Sequence, residues 1–133
     1  MRIGLDIGST TLKAVLLNAD QKIVYAKYQR HLSRTVDTAL EMIQAIRRQF
    51  PGLEEARVAV SGSAGMGLSE PCGIPFIQEV MATRLCVQRT VPDADVVIEL
   101  GGEDAKILFL SGMPDARMNG SCAGGTGAFI DQM

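Results

Sequence analysis

Short apolar runs separated by turn-forming residues fill the first thirty positions of the chain, and the apolar pattern then changes period. RIGLDI, from Arg2 to Ile7, reads as a half-buried strand, and the apolar runs Leu12 to Asn18 (LKAVLLN) and Ile23 to Tyr28 (IVYAKY) read as two more. A Gly-Ser-Thr turn and the turn-forming Ala19-Asp20-Gln21-Lys22 join them, so three antiparallel strands are expected. From Ser33 to Phe50 the apolar residues Val36, Leu40, Ile43, Ile46 and Phe50 stand three or four apart, the spacing of one helix face, and Pro51-Gly52 ends that helix.

The alternation then resumes. RVAVSG predicts a strand that runs into a glycine-rich loop from Ser61 to Gly67. A second helix is expected from Pro75 to Arg89, with Ile77, Val80, Met81, Leu85 and Cys86 facing a core and Pro92 beyond its end. The apolar DVVIEL, Asp95 to Leu100, reads as a central strand, and the turn Gly101 to Asp104 leads into a further strand, AKILFL. Three strands followed by helix, strand, helix and strand predict an α/β fold of three layers, with a mixed five-stranded sheet flanked by helices and a short hairpin extension. Gly124-Gly125-Thr126-Gly127 precedes AFIDQM as the start of a helix too short to persist alone. The expectation is one domain over residues 1–120, with 121–133 a linker and helix start leading to a second domain.

Composition narrows the class of function. A chain of 133 residues, 47% hydrophobic, can bury one core of ordinary size. Its net charge of -2 and unclustered Lys and Arg argue against a nucleic-acid partner. No apolar run approaches the roughly 18 residues needed to span a bilayer, and Asp6 interrupts the stretch where a secretory signal would continue, so no membrane partner and a cytoplasmic location are expected. Cysteines at 72, 86 and 122 form no short-spaced pair, which suggests neither a disulfide framework nor a self-contained zinc site.

Chemistry is concentrated at strand ends. Asp6 closes the first strand and is followed by Gly8-Ser9-Thr10-Thr11, where a carboxylate can hold the water shell of Mg²⁺ while backbone N–H groups and hydroxyls face a phosphoryl oxygen. The competing reading is a hairpin whose Asp, Ser and Thr bond their own backbone. Glu99-Leu100-Gly101-Gly102-Glu103-Asp104 supplies a second acidic, glycine-rich turn; on neighbouring strands the two turns would meet at one sheet edge around a nucleotide phosphate and its metal. Lys106 is a phosphate contact or a solvated strand-edge lysine. Ser61 to Gly67 is a third phosphate-facing loop or only a turn, and lacks the Gly-Lys-Ser/Thr ending of a P-loop. Glu79 is a site carboxylate or a surface charge, and His31, the one histidine, is structural or exposed. Cys86 and Cys72 fit burial and exposure respectively. Cys122, in NGSCAGGTG, stands ahead of an expected helix start whose free N–H groups favour a thiolate.

In order, DIGSTTLKAVLL, GSAG, the helix with Glu79, ELGGEDAKI and MNGSCAGGTGAFID resemble the N-terminal domain of the ATP-dependent activators of 2-hydroxyacyl-CoA dehydratases, a family that includes the ATPase subunits of benzoyl-CoA reductase. The resemblance covers nearly the whole chain. It implies a ribonuclease-H-like fold, ATP and Mg²⁺, and a homodimer sharing one [4Fe-4S] cluster through two cysteines per subunit. The implied function is ATP-driven, low-potential electron transfer to a dehydratase or reductase component. Carried over by position, Asp6, Glu79 and Asp104 are catalytic. Gly8, Ser9, Thr10, Thr11, Gly101, Gly102, Lys106, Gly124, Gly125, Thr126 and Gly127 bind the nucleotide, and Cys122 and Asp6 are the metal ligands. Glu99 and Glu103 stand where the family commonly has Asp and Gln. Ser121 and Ala128 replace basic residues, which lowers the positive charge around Cys122. A small-metabolite kinase of the same superfamily and a non-catalytic nucleotide-binding module are the alternatives. For the chain by itself little or no ATP hydrolysis and no bound cofactor are expected.

Overall fold

The computed structural model describes residues 1–102, 104–111, 115–118 and 126–127. Internal packing divides the chain into two compact units, Met1–Ile77 and Gln78–Met133. The expected domain boundary near residue 120 lies among residues outside those described.

In the first unit, β1 (Arg2–Ile7), β2 (Thr11–Leu17) and β3 (Ile23–Arg30) form the expected antiparallel meander, and β4 (Arg57–Ser61) joins β1 in parallel, in the order β3-β2-β1-β4. Alternation dictates the two faces of this sheet. Ile3, Leu5 and Ile7 of β1, Leu12, Ala14 and Leu16 of β2 and Val60 of β4 are buried together, while Gly4, Asp6, Lys13 and Val15 fall on the other face.

Helix α1 (Thr35–Gln49) completes this core with Ala39, Met42 and Ile46. The inward face differs from the predicted one. Ile43, Ile46 and Phe50 do face the core, but Val36 and Leu40 are 62% and 55% exposed, and Thr38 and Ala39 are buried instead. Near the helix start the small side chains, not the larger apolar ones, are the buried ones.

The predicted loop from Ser61 to Gly67 continues into a short helix, α2 (Met66–Cys72), which ends on Gly73 in the left-handed conformation at φ 61°. The outer edge of β4 takes a single bridge, Val60 to Phe76.

The second unit holds α3 (Glu79–Thr90) and an antiparallel sheet of β5 (Val96–Leu100), β6 (Ala105–Phe109) and β7 (Asp115–Met118), in that order. Three expectations are corrected. The helix starts at Glu79 rather than Pro75, and Ile77, Met81, Leu85 and Cys86 are exposed, with Val80 half-buried. β5 is an edge strand of its sheet, with Ile98 67% exposed, because its only strand partner among the described residues is β6. The strands are therefore grouped four and three instead of in one five-stranded sheet. The mixed parallel and antiparallel pairing and the flanking helices stand as expected.

Candidate functional site

The first group of site residues is built by the β1–β2 hairpin. Register sets Lys13 directly across from Asp6 on β2 and Ser61 beside it on β4, so the three side chains emerge on the face opposite the core. Lys13 Nζ donates to Asp6 Oδ2 at 2.8 Å and also lies 5.8 Å from the centre of the Tyr28 ring. The other carboxylate oxygen, Oδ1, is buried with no hydrogen-bond partner among the described residues. An acceptor left in that state costs free energy unless a cation or a donor meets it.

Gly62 is what lets the backbone pass so close to this carboxylate. Its φ is +92°, and a Cβ there would strike the Ile7 carbonyl oxygen and lie 2.5 Å from Asp6 Oδ1. Ala64 N–H donates to that same Ile7 carbonyl at 2.9 Å and fastens the segment after β4 to the end of β1.

The turn Gly8–Thr11 is closed by one backbone bond, from Gly8 N–H to Thr11 O at 2.9 Å. Ser9 and Thr10 are exposed, and among the described residues their N–H groups have no backbone acceptor. Thr11 is buried. A Cβ on Gly8 would meet only ordinary contacts, 3.5 Å from Thr11 O and 4.0 Å from Lys13 Nζ, so it would fill the space between the turn and the lysine. The arrangement offers an anion the N–H groups and hydroxyls of two exposed residues and an ammonium, with a carboxylate beside them.

The second group lies in the second unit. Glu79, the first residue of α3, accepts from Lys106 Nζ at 2.7 Å. Lys106 sits on β6 directly opposite Glu99 of β5, and its side chain is 10% exposed. Burial alone would lower the Lys106 pKa. The hydrogen bond to Glu79 and the charges of Glu99, Glu79 and Asp104 outweigh that effect and raise it above its usual 10.5. The ammonium is thus charged throughout the neutral range.

The turn after β5 is closed by Gly101 N–H to Asp104 O at 2.8 Å. Two residues of the late glycine run return to it: Gly127 N–H donates to Gly101 O at 2.8 Å, and the fully buried Thr126 donates its hydroxyl to Gly102 O at 3.4 Å. A Cβ on Gly127 would stand 3.0 Å from the Gly101 carbonyl oxygen.

Of the expected site residues, the fold gathers Asp6 with Gly8, Ser9, Thr10 and Thr11 in one unit. It gathers Glu79, Gly101, Gly102, Asp104, Lys106, Thr126 and Gly127 in the other. The two acidic turns end strands of different sheets rather than neighbouring strands of one. Cys122, Gly124 and Gly125 lie outside the described residues, as do Glu103, Ser121 and Ala128. Among the described residues no three His, Cys, Asp or Glu side chains converge on a metal-sized site, and no helix is long and apolar enough to cross a membrane. Sequence reasoning missed Lys13, which carries a signal in hindsight, since hairpin register alone puts it opposite Asp6. His31 is buried, in keeping with the structural one of its two readings.

No family model matches the chain. Its fold is the α/β, ribonuclease-H-like fold of the activator ATPases: it superposes on the activator of the 2-hydroxyisocaproyl-CoA dehydratase from Clostridium difficile, solved with bound ADPNP, with a TM-score of 0.76 and 30% identity over 99% of this chain and 50% of that one. In sequence it is 30% identical over 135 residues to the 2-hydroxyisocaproyl-CoA dehydratase activator of Clostridioides difficile, covering 98% of this chain and 50% of the relative. It is 25% identical over 133 residues to the (R)-2-hydroxyglutaryl-CoA dehydratase activating ATPase of Acidaminococcus fermentans, covering 98% and 51%. The chain belongs to the family of 2-hydroxyacyl-CoA dehydratase activators. It spans about half the length of these relatives.

Proposed function

We propose that the chain is the first nucleotide-binding half of an ATP-dependent activator of a 2-hydroxyacyl-CoA dehydratase or related reductase. The observation that carries this reading is Asp6: a carboxylate with one buried oxygen unmatched among the described residues, beside an ammonium and a turn whose two exposed residues have N–H groups with no backbone acceptor among the described residues. Anionic phosphates suit the turn and Lys13, and Mg²⁺ suits the orphaned Oδ1, either directly or through its water shell. When bound, Mg²⁺ supplies charge neutralisation on the phosphates. The residues of the chain do the rest: Ser9 and Thr10 orient phosphoryl oxygens, Lys13 holds negative charge, and Gly8 keeps the space open.

In the second unit Glu79, Lys106 and Asp104 form a fixed charged group next to the Gly101–Gly102 turn, a second place for polar groups of the nucleotide. Catalysis needs closure around the phosphates, so residues 1–133 assayed on their own are expected to hydrolyse little ATP. Cys122 would hold one ligand position of a [4Fe-4S] cluster, with others from a second cysteine and a second subunit of a cytoplasmic homodimer. That cluster would supply one-electron transfer to the partner.

Titration of the chain with Mg·ADPNP tests the nucleotide reading. Asp6→Asn is expected to weaken Mg²⁺-dependent binding by about tenfold or more, worth about 1.4 kcal/mol. Equal affinity with and without Mg²⁺ in both proteins would remove Asp6 from the role. For the cluster, anaerobic reconstitution followed by iron and sulfide analysis should show cluster loss in Cys122→Ser; unchanged cluster content overturns that assignment.

A further inference from the structure

His31 is 6% exposed and lies just beyond β3, yet it touches the Gly8–Thr11 turn at two points. Its backbone N–H donates to Thr10 O at 3.2 Å, and its ring Nε2 stands 3.1 Å from Gly8 O. The tautomer follows from the other ring nitrogen. Ser33 N–H donates to Nδ1 at 3.2 Å, so Nδ1 is the acceptor and the ring hydrogen sits on Nε2, which then donates to the Gly8 carbonyl.

The segment that aims the ring is itself conformationally costly. Leu32 and Ser33 have φ of 48° and 65°, the left-handed region that side chains other than glycine, and a leucine in particular, rarely adopt. Arg34 N–H donates to His31 O at 2.7 Å and closes this turn around the histidine. A chain that needed only a buried apolar plug at position 31 would have no use for such a backbone. The turn's product is one imidazole with both nitrogens committed.

We propose that His31 is a positioning residue for the phosphate turn, holding the Gly8 carbonyl so that the Ser9 N–H points the opposite way, toward a bound phosphate. The reason is the planarity of the trans peptide: the C=O of Gly8 and the N–H of Ser9 belong to one peptide unit and point in opposite directions. Fixing the carbonyl against His31 therefore fixes the N–H on the far side, before any ligand arrives. A preorganised donor loses less freedom on binding than one that must be turned. The inference rests on the nucleotide reading for the identity of the ligand, though not for the orientation of the turn.

The test compares His31→Gln and His31→Leu in the ¹⁵N-labelled chain, following the Ser9 amide by NMR and titrating Mg·ADPNP. Gln can place an amide N–H where Nε2 stands; Leu fills the site without a donor. The Leu variant is expected to move the Ser9 amide resonance and weaken Mg·ADPNP three- to tenfold, and Gln to restore both to near the wild-type values. An unmoved Ser9 amide in His31→Leu, or a Gln variant as impaired as the Leu one, overturns the proposal. If the wild type binds no Mg·ADPNP, the nucleotide reading falls, while the Ser9 amide comparison still decides whether His31 orients the turn. Should His31→Leu fail to fold, the Gln variant and His31→Asn, whose shorter amide cannot reach Gly8, give the same contrast.

Discussion

The two units of this chain place polar site residues by opposite means. In Met1–Ile77 the site stands on an apolar foundation: ten buried side chains from β1, β2, β4 and α1 fix the sheet, and the strand register then carries Asp6, Lys13 and Ser61 to its other face. In Gln78–Met133 the only buried apolar side chain among the described residues is Leu108, and the buried polar ones are Lys106 and Thr126. There the fixed points are an ion pair and hydrogen bonds onto the Gly101–Gly102 turn. The lesson is that register can aim a side chain without that side chain contributing to stability. Where the apolar core is thin, the site residues also help to hold the fold.

The comparison breaks most readily at its foundation. Met42→Ala, at a position with no exposure, should cost about 2–5 kcal/mol in urea unfolding of the first unit, whereas Leu85→Ala on the open side of α3 should stay within about 0.5 kcal/mol. Equal costs would erase the contrast.

Next in size is the ion pair of the second unit. Glu79→Gln or Lys106→Met should cost about 1.5–3 kcal/mol, as expected for hydrogen bonds to charged groups. Because the folded Lys106 pKa lies above its ordinary 10.5, the pair's contribution is fully present below that value and is lost as pH rises through the higher folded value. Stability measured from pH 7 to 12 should therefore fall at the alkaline end in the wild type and lose that component in Lys106→Met.

Smaller, and local to the first site, is Gly62→Ala. The positive φ and the contact with Ile7 O and Asp6 Oδ1 predict a loss above about 1 kcal/mol together with displacement of the carboxylate, readable as weaker Mg·ADPNP binding. Smallest is Asp6→Asn. Its partner Lys13 and Asp6 itself are 40% and 37% exposed, so thermal stability should change by no more than about 1 kcal/mol while Mg²⁺-dependent binding collapses. A large stability loss there would mean that the site and its foundation are not separable.

Much of this was legible in order of residues alone. The alternation of Ile3, Leu5 and Ile7 against Gly4 and Asp6 gives β1 its faces, and the short turn at Gly8–Thr11 commits β2 to pair with it, which puts Lys13 across from Asp6. The glycine-rich turns were found because glycine and acidic residues cluster at strand ends. Other elements were hidden. Helix α2 was obscured because glycines 65 and 67 read as part of the Ser61–Gly67 loop and Pro71 lies inside the helix, which ends on Gly73 in the left-handed conformation. The inward face of α1 was misjudged because apolar size was taken as the guide, whereas the buried residues near its start are Thr38 and Ala39.

The sequence by itself determined the meander, a helix between Ser33 and Phe50, the acidic turns after β1 and β5, and the resemblance that names the family, because each depends on residues close together in the chain. Only the tertiary structure decided which charges meet and which backbone groups are held: Glu79 with Lys106 across 27 positions of sequence, Thr126 on Gly102 across 24, and His31 on Gly8 across 23. Such contacts arise when separate elements are packed at fixed distances by the core and by closed hydrogen-bond networks. A pattern of hydrophobic and polar positions specifies the faces that pack, but a donor and its acceptor on two different elements become partners only when that packing is complete.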